Sequence, residues 1–183
     1  MQTFVLAIGS LMFLFAAVAI ARHFRITKAT PQLVTTLALA ICQFASFIWQ
    51  MLVSAKPLAL LGAALIAFFA SQFLFGWSLH SSRKTKLNIV FEPGQPQRVL
   101  RSGIFRHIRH PFYLAYFMFW FGASLAAGHW TTIALSLVLV AMLALAARQE
   151  EKNFATSPLA SDYAVYRKST GMFLPKFRTS NEG

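Results

Sequence analysis

The chain has 183 residues, 57% of them hydrophobic and only 12% charged, with a mean hydropathy of +0.56 and a formal net charge of +12. Soluble domains carry about a quarter charged residues, so a soluble core fold is excluded in favour of an all-α integral membrane protein with little mass outside the bilayer. A single cysteine, Cys42, rules out an intrachain disulfide and a zinc site built on several thiolates.

A helix needs about 20 apolar residues to cross a bilayer, and about 17 can suffice. Stretches 2–21, 32–54, 58–79, 111–127 and 130–147 meet that requirement, which predicts five transmembrane helices. The first has no basic segment ahead of it and no clear cleavage site, so it reads as a span and not as a signal peptide. Arg22, Arg25 and Lys28 follow the first span, and Lys56 alone separates the second from the third. The third connection carries Arg83, Lys84, Lys86, Arg98, Arg101, Arg106 and Arg109. The fourth, Gly128-His129, has no Lys or Arg. The tail has Arg148, Lys152, Arg167, Lys168, Lys176 and Arg178.

Sixteen of the 17 basic residues thus fall on alternate connections, and the positive-inside rule makes that side cytoplasmic. The N-terminus is then outside and the C-terminus inside, and Glu92, Glu150, Glu151, Asp162 and Glu182 share the cytoplasmic side. The positive charge finds its partner in the anionic lipid of a bacterial inner membrane, with no nucleic acid and no protein partner required. The chain divides into three N-terminal helices (1–80) and a second part (81–183) of long loop, hairpin and tail. Within the long loop "KLNIVF" reads as a short extended piece at the interface and "FEPGQPQ" (91–97) as irregular backbone. The tail predicts one amphipathic helix around 159–169, carrying Tyr163 and Tyr166.

"RHIRHP" (106–111) stands directly before the fourth span. Proline suits the first turn of a helix, where its missing N–H would have been unpaired, and it pushes the preceding residue out of the α region. His110 is therefore expected at the helix cap, where free N–H groups and the positive end of the dipole favour an anion. Arg106, His107, Arg109 and His110 add donors, and together they read as a carboxylate or phosphate pocket. The competing reading is that these basic residues snorkel to lipid phosphates and set topology.

The fourth and fifth spans form a hairpin, so "RQEE" (148–151) returns to the level of "RHIRHP". Carboxylates near a helix C-terminus oppose the macrodipole, so Glu150 and Glu151 need another reason to be there. One is surface salt bridging to the nearby arginines, worth about 0–1 kcal/mol if exposed. The other is a carboxylate that fixes a cationic or hydroxyl-bearing ligand opposite the anion pocket. A ligand with a carboxylate, an ammonium and a sulfonium matches both halves. The two glutamates are about 100° apart on a helix, so only one is expected to face the pocket. No His/carboxylate set has a clear metal spacing, and no nucleophile elbow, GxGxxG or P-loop is present.

The segments "SGIFRHIRHPFYLAYF" (102–117), "EEKNF" (150–154) and "DYAVYRKSTGMFLP" (162–175) resemble the G-x-Y-x-x-x-R-H-P-x-Y, E-E-x-x-L and Y-x-x-Y elements of the isoprenylcysteine carboxyl methyltransferase and phospholipid methyltransferase superfamily. The resemblance covers roughly 97–177. It implies S-adenosylmethionine-dependent methyl transfer at the cytoplasmic face. It places Arg98, Val99, Leu100, Phe105, His110, Pro111, Phe112 and Tyr113 around the cofactor, beside the Arg109 of the anion pocket. It also gives the cofactor one of Glu150 and Glu151, the E-E-x-x-L register pointing to Glu150 and an ungapped count from His110 to Glu151. Arg148 is the nearest candidate for an arginine close to the substrate's reacting group and, with the glutamates, makes up the catalytic set. Phe105 stands where a tyrosine is usual.

The acceptor implied is a lipophilic carboxylate, amine or thiol that enters sideways between spans, with the tail aromatics Tyr163, Tyr166 and Phe173 closing over the cofactor. Two alternatives remain: a nicotinamide-dependent membrane lipid reductase and a non-enzymatic lipid-binding membrane protein.

Overall fold

A computed structural model describes residues 1–25, 30–83, 87–88 and 98–176. The described residues form six α-helices: α1 (Gln2–His23), α2 (Pro31–Val53), α3 (Leu58–Ser82), α4 (Pro111–Ala127), α5 (Trp130–Ala155) and α6 (Ala160–Ser169). A 3-10 turn over Gly103–Arg106 leads into α4. The extended backbone includes one two-residue parallel pair, β1 (Phe24–Arg25) with β2 (Leu87–Asn88). Of the expected extended piece "KLNIVF", Leu87 and Asn88 are extended and the rest lies outside the described residues, as does "FEPGQPQ".

Four helices, α1, α2, α3 and α5, are long and apolar enough to cross a membrane, whereas α4 is a shorter apolar helix. Four of the five expected helices thus meet that length outright, and the fourth stretch forms the 17-residue helix expected over 111–127. The 17 residues of α4 rise about 26 Å, a little less than the hydrocarbon thickness. The fifth stretch does not stop at residue 147 but continues as helix to Ala155. The glutamates therefore sit inside α5 and not at its end.

Local chemistry sets the helix starts. Pro31 and Pro111 each stand in the first turn of their helix, and Thr30 caps α2 by accepting from the Leu33 N–H at 3.2 Å. The hairpin between α4 and α5 turns on Gly128, whose φ of 54° is left-handed, followed by His129, whose ring Nδ1 accepts from the Thr131 N–H at 3.3 Å.

Hydrogen bonds define the alternating direction of the helices. Gln2, at the start of α1, donates to the Ser54 carbonyl at 2.9 Å and accepts from the Lys56 N–H at 3.2 Å. The start of α1 thus meets the turn between α2 and α3. At the opposite end His23 of α1 lies 3.0 Å from Ser82 of α3. The start of α4 and the end of α5 share that second end, where the polar cluster described below forms.

α4 is the central helix and packs chiefly against α3, α5 and α2. Its small residues, Ala115, Gly122, Ala123 and Ala126, are buried. A Cβ on Gly122 would stand 2.9 Å from the Phe68 ring, so the glycine is what lets α3 lie so close. Phe47, Phe68, Phe119 and Trp120 fill the core beside it. Between α2 and α5 the buried Gln43 amide donates to Ser136 at 2.7 Å, and Ser136 also accepts from Ser124 of α4 at 2.8 Å. Lipid offers no hydrophobic drive for helix association, so close packing and such hydrogen bonds hold the bundle. Large apolar residues such as Leu11, Ile41, Phe73 and Leu137 remain exposed on its outside.

Candidate functional site

Pro111 drives the local geometry. His110 ahead of it adopts φ −122° and ψ 60°, outside the helical region as expected, and caps α4 without a side-chain cap bond. Residues 107–110 then pair with the chain that leaves α6. Gly171 N–H donates to the His107 carbonyl at 3.1 Å, Arg109 N–H to the Gly171 carbonyl at 2.9 Å, and His110 N–H to the Met172 carbonyl at 3.1 Å. Two backbone donors just ahead of α4 are therefore occupied by the tail. Proline has no N–H, so those of Phe112 and Tyr113 are what the first turn of α4 leaves without intrahelical partners.

Arg109 Nε donates to Glu151 Oε1 at 2.7 Å, with side-chain exposures of only 7% and 11%. The same guanidinium donates through Nη1 to the carbonyls of Thr170 and Arg167. Arg167 Nε stands 3.7 Å from Glu151 Oε2. One arginine thus ties the loop before α4, the extension of α5 and the tail together. The anion near this helix start is the protein's own Glu151. The pair is buried, so the weak surface bridge considered from sequence alone does not describe it.

His110 is 6% exposed and stands between the two glutamates. Its Nε2 is 3.4 Å from Glu151 Oε1 and its Nδ1 is 3.7 Å from Glu150 Oε2. Neither approach makes a well-aligned hydrogen bond, and Nε2 is left buried without a partner. The imidazole spans the gap between the two carboxylates and offers each a different nitrogen. Glu150 keeps 48% of its side chain exposed and also accepts a long hydrogen bond, 3.5 Å, from the Tyr113 hydroxyl. Tyr113 and Phe173 flank the imidazole, with ring centres at 5.4 and 6.0 Å.

The tail helix α6 spans Ala160–Ser169, one residue shorter at its start than predicted. Tyr166 donates to the Phe105 carbonyl at 2.7 Å, and Tyr163 stacks on Phe154 of α5 with ring centres 4.4 Å apart. Burial pushes both phenols up, that of Tyr166 to about 12. These two tyrosines fasten α6 to the bundle, whereas Phe173 lies against the His110 ring.

The other residues expected at the cofactor are placed differently. Phe105 and Phe112 are buried in an apolar cluster with Phe75, Ile104 and Ile108, on the side of α4 that meets α3. Leu100 packs at the edge of that cluster, Val99 is half-buried, and Arg98 and His107 are exposed. Arg148 is exposed and makes no side-chain hydrogen bond or ion pair among the described residues. Conversely, Arg167, Thr170 and Gly171 belong to the cluster and were not singled out by sequence. The available signal was a glycine just beyond a predicted helix end.

Burial alone would raise the Glu151 carboxyl, but the His110 contact and the Arg109 hydrogen bond and charge outweigh it and bring it down from 4.5 to about 2. The folded-state value lies below the unfolded one, so the unfolded chain binds more protons between them. This stabilisation, on the order of 3 kcal/mol, is fully present above about pH 4.5 and is lost as the pH falls towards 2. Thermal midpoints in detergent are expected to be flat above pH 5 and to fall below pH 4, and Glu151→Gln should flatten that acid limb.

Gly171 has no room for a side chain. A Cβ there would stand 1.6 Å from the Leu174 carbonyl oxygen and 2.8 Å from its carbonyl carbon. Gly171→Ala must therefore shift the tail. Faster hydrogen exchange at the Arg109, His110 and Gly171 amides is the expected readout, with the helices unchanged.

Fold and cluster together define a helical membrane protein that gathers most of its ionisable groups, among the described residues, at one end of an apolar bundle, behind a docked tail. The family model for phospholipid methyltransferases matches residues 34–158, well over half of the chain. The chain belongs to that family, within the membrane methyltransferase superfamily that the motifs resemble, and membership implies a membrane methyltransferase. The match spans α2 to α5 and includes both the segment around His110 and the glutamate pair, and it ends before α6. Comparison with curated proteins and with solved structures gives no match.

Proposed function

We propose that the protein transfers a methyl group from S-adenosylmethionine to a lipophilic acceptor at the cytoplasmic face of a cell membrane. Beyond family membership, the observation that carries this is the His110 ring, buried with one nitrogen unpartnered between two carboxylates. A buried polar atom without a partner is costly, and a ligand acceptor meeting Nε2–H would remove that cost. Glu150 suits a cationic ligand: it is half-open and, unlike Glu151, not paired to a guanidinium. The donor set thus fits a group that carries both a carboxylate and an ammonium.

When bound, the cofactor supplies an electrophilic methyl on a positive sulfonium. The reaction is an in-line displacement that asks for alignment more than for acid–base groups. A carboxylate or thiolate acceptor needs no base, whereas a protonated amine must first lose its proton. His110 and Glu150 bind and orient. Arg109 and Glu151 hold the mouth of the hairpin in shape. Phe173 and Tyr113 screen the imidazole from water. α1 to α3 take the lipid acceptor from the side, and Arg148 is reserved for its reacting group.

In this reading α4 also crosses the membrane, as the fourth of five spans, the N-terminus is outside, and the cluster faces the cytoplasm of a bacterial cell. The test is thermal stabilisation of purified protein by S-adenosylhomocysteine but not by NADPH, followed by incubation of membranes with methyl-labelled cofactor and separation of lipid, protein and volatile products. Stabilisation by NADPH instead would favour a reductase, and stabilisation by neither a non-enzymatic lipid binder. For topology, Gly128→Cys in a Cys42→Ala background should react with an impermeant thiol reagent from outside. Reaction only from the cytoplasmic side would overturn the five-span arrangement.

A further inference from the structure

Two glutamines stand near the middle of apolar helices, and the fold treats them differently. Gln43 of α2 is fully buried and bonded to Ser136. Gln72 of α3 is half-buried on the outside of the bundle, and its side chain has no hydrogen-bond partner among the described residues. It lies in an open groove with Phe73, Gly76, Trp77 and His80, a single stripe of α3 at 3.6 residues per turn. Gly76 has nothing within 4 Å of where a Cβ would stand. Phe73 and Trp77 project beside it, their ring centres 5.9 Å apart.

Hydrocarbon cannot bond an amide, so an unpartnered glutamine facing lipid is strongly unfavourable. Gln72 lies well inside the apolar stretch, which runs to residue 79, about 10 Å further along the axis, so its amide sits at hydrocarbon depth. An acyl chain lying in the groove would fill space over Gly76 and leave the amide unbonded. A second copy of the chain would bond it. Copies inserted in the same orientation present the same residue at the same depth, so a two-fold axis along the membrane normal brings Gln72 to Gln72. A carboxamide has both donors and acceptors, and two of them pair reciprocally. Gly76, one turn on, allows the two backbones to approach closely, and the open space above it receives the projecting Phe73 of the other copy.

We propose that the Gln72–Gly76 stripe of α3 is the interface of a symmetric homodimer within the membrane. The proposal rests on α3 crossing the bilayer and is independent of methyl transfer. It is tested on the full chain, fluorescently labelled and reconstituted at low protein-to-lipid ratio in phosphatidylcholine–phosphatidylglycerol vesicles, where photobleaching steps count copies. Wild type should be dimeric, and Gln72→Leu should weaken association about three- to thirtyfold, the range for a polar contact between membrane helices. The Gln72 side chain makes no hydrogen bond among the described residues, so the variant should fold normally.

A second measurement uses Cys42→Ala protein in native membranes. Gly76→Cys should form disulfide-linked dimers under mild oxidation, because the bond requires Cα atoms within about 7 Å. Leu37→Cys, on the exposed face of α2, should not. Monomeric wild type, undiminished association of Gln72→Leu, or equal cross-linking at Leu37 would each overturn the interface.

Discussion

Arg109→Ala should destabilise the folded protein by about 3–5 kcal/mol, the cost of removing one partner from a buried ion pair. The loss is large because Arg109 serves three segments at once. It donates to Glu151 at 2.7 Å and to the carbonyls of Thr170 and Arg167. Without it the Glu151 carboxylate stays buried with only His110 at 3.4 Å and the exposed Arg167 at 3.7 Å. The tail carbonyls also lose their donor. Accelerated exchange at the amides that join residues 107–110 to 171–172, together with a lower thermal midpoint in detergent, is the expected signature. The double variant Arg109→Met, Glu151→Leu removes both charges and should recover much of the loss, since apolar replacement of a whole buried pair is often neutral or stabilising. If Arg109→Ala alone left both readouts at wild-type values, the pair would not hold the tail.

Glu150→Gln should have the opposite profile. Its carboxylate is half-exposed and its contacts are long, 3.5 Å from Tyr113 and 3.7 Å from His110, so folding should be unchanged. If Glu150 holds the cation of the cofactor, affinity for S-adenosylhomocysteine measured by calorimetry should fall roughly tenfold to a hundredfold, as for a lost hydrogen bond to a charged group of about 1.5–3 kcal/mol. His110→Ala should weaken binding by a similar factor. Glu151→Gln should instead lower stability first and affect affinity through the shape of the site. A protein in which both glutamates are replaced by glutamine yet binds like wild type would remove the glutamate pair from the site.

Much of the membrane architecture was legible because it rests on local signals. Apolar length marked the helices, Pro111 marked the start of α4, and the short gap at Gly128-His129 marked the hairpin. The prediction that "RHIRHP" and "RQEE" meet followed from counting residues up one helix and down the next. The contact between Arg109 and Glu151 bears it out. The same counting gave α4 its bounds, Pro111–Ala127, but apolar length by itself does not distinguish a full crossing from a short central helix.

What composition and spacing determined by themselves was the class: an apolar helical bundle with its charges at one end and a proline-capped helix among them. Tertiary structure alone decided how those charges are used. Arg109 and Glu151 are 42 residues apart, and nothing local to either says that they form a buried pair or that Glu150, one residue away, is left half-open. That division depends on the rotation of α5 about its axis, which packing against α4 sets. The tail pairing through Gly171 likewise depends on a backbone meeting between distant segments. Such meetings arise from shape and hydrogen-bond complementarity across the assembled bundle, and no short stretch of chain carries that information.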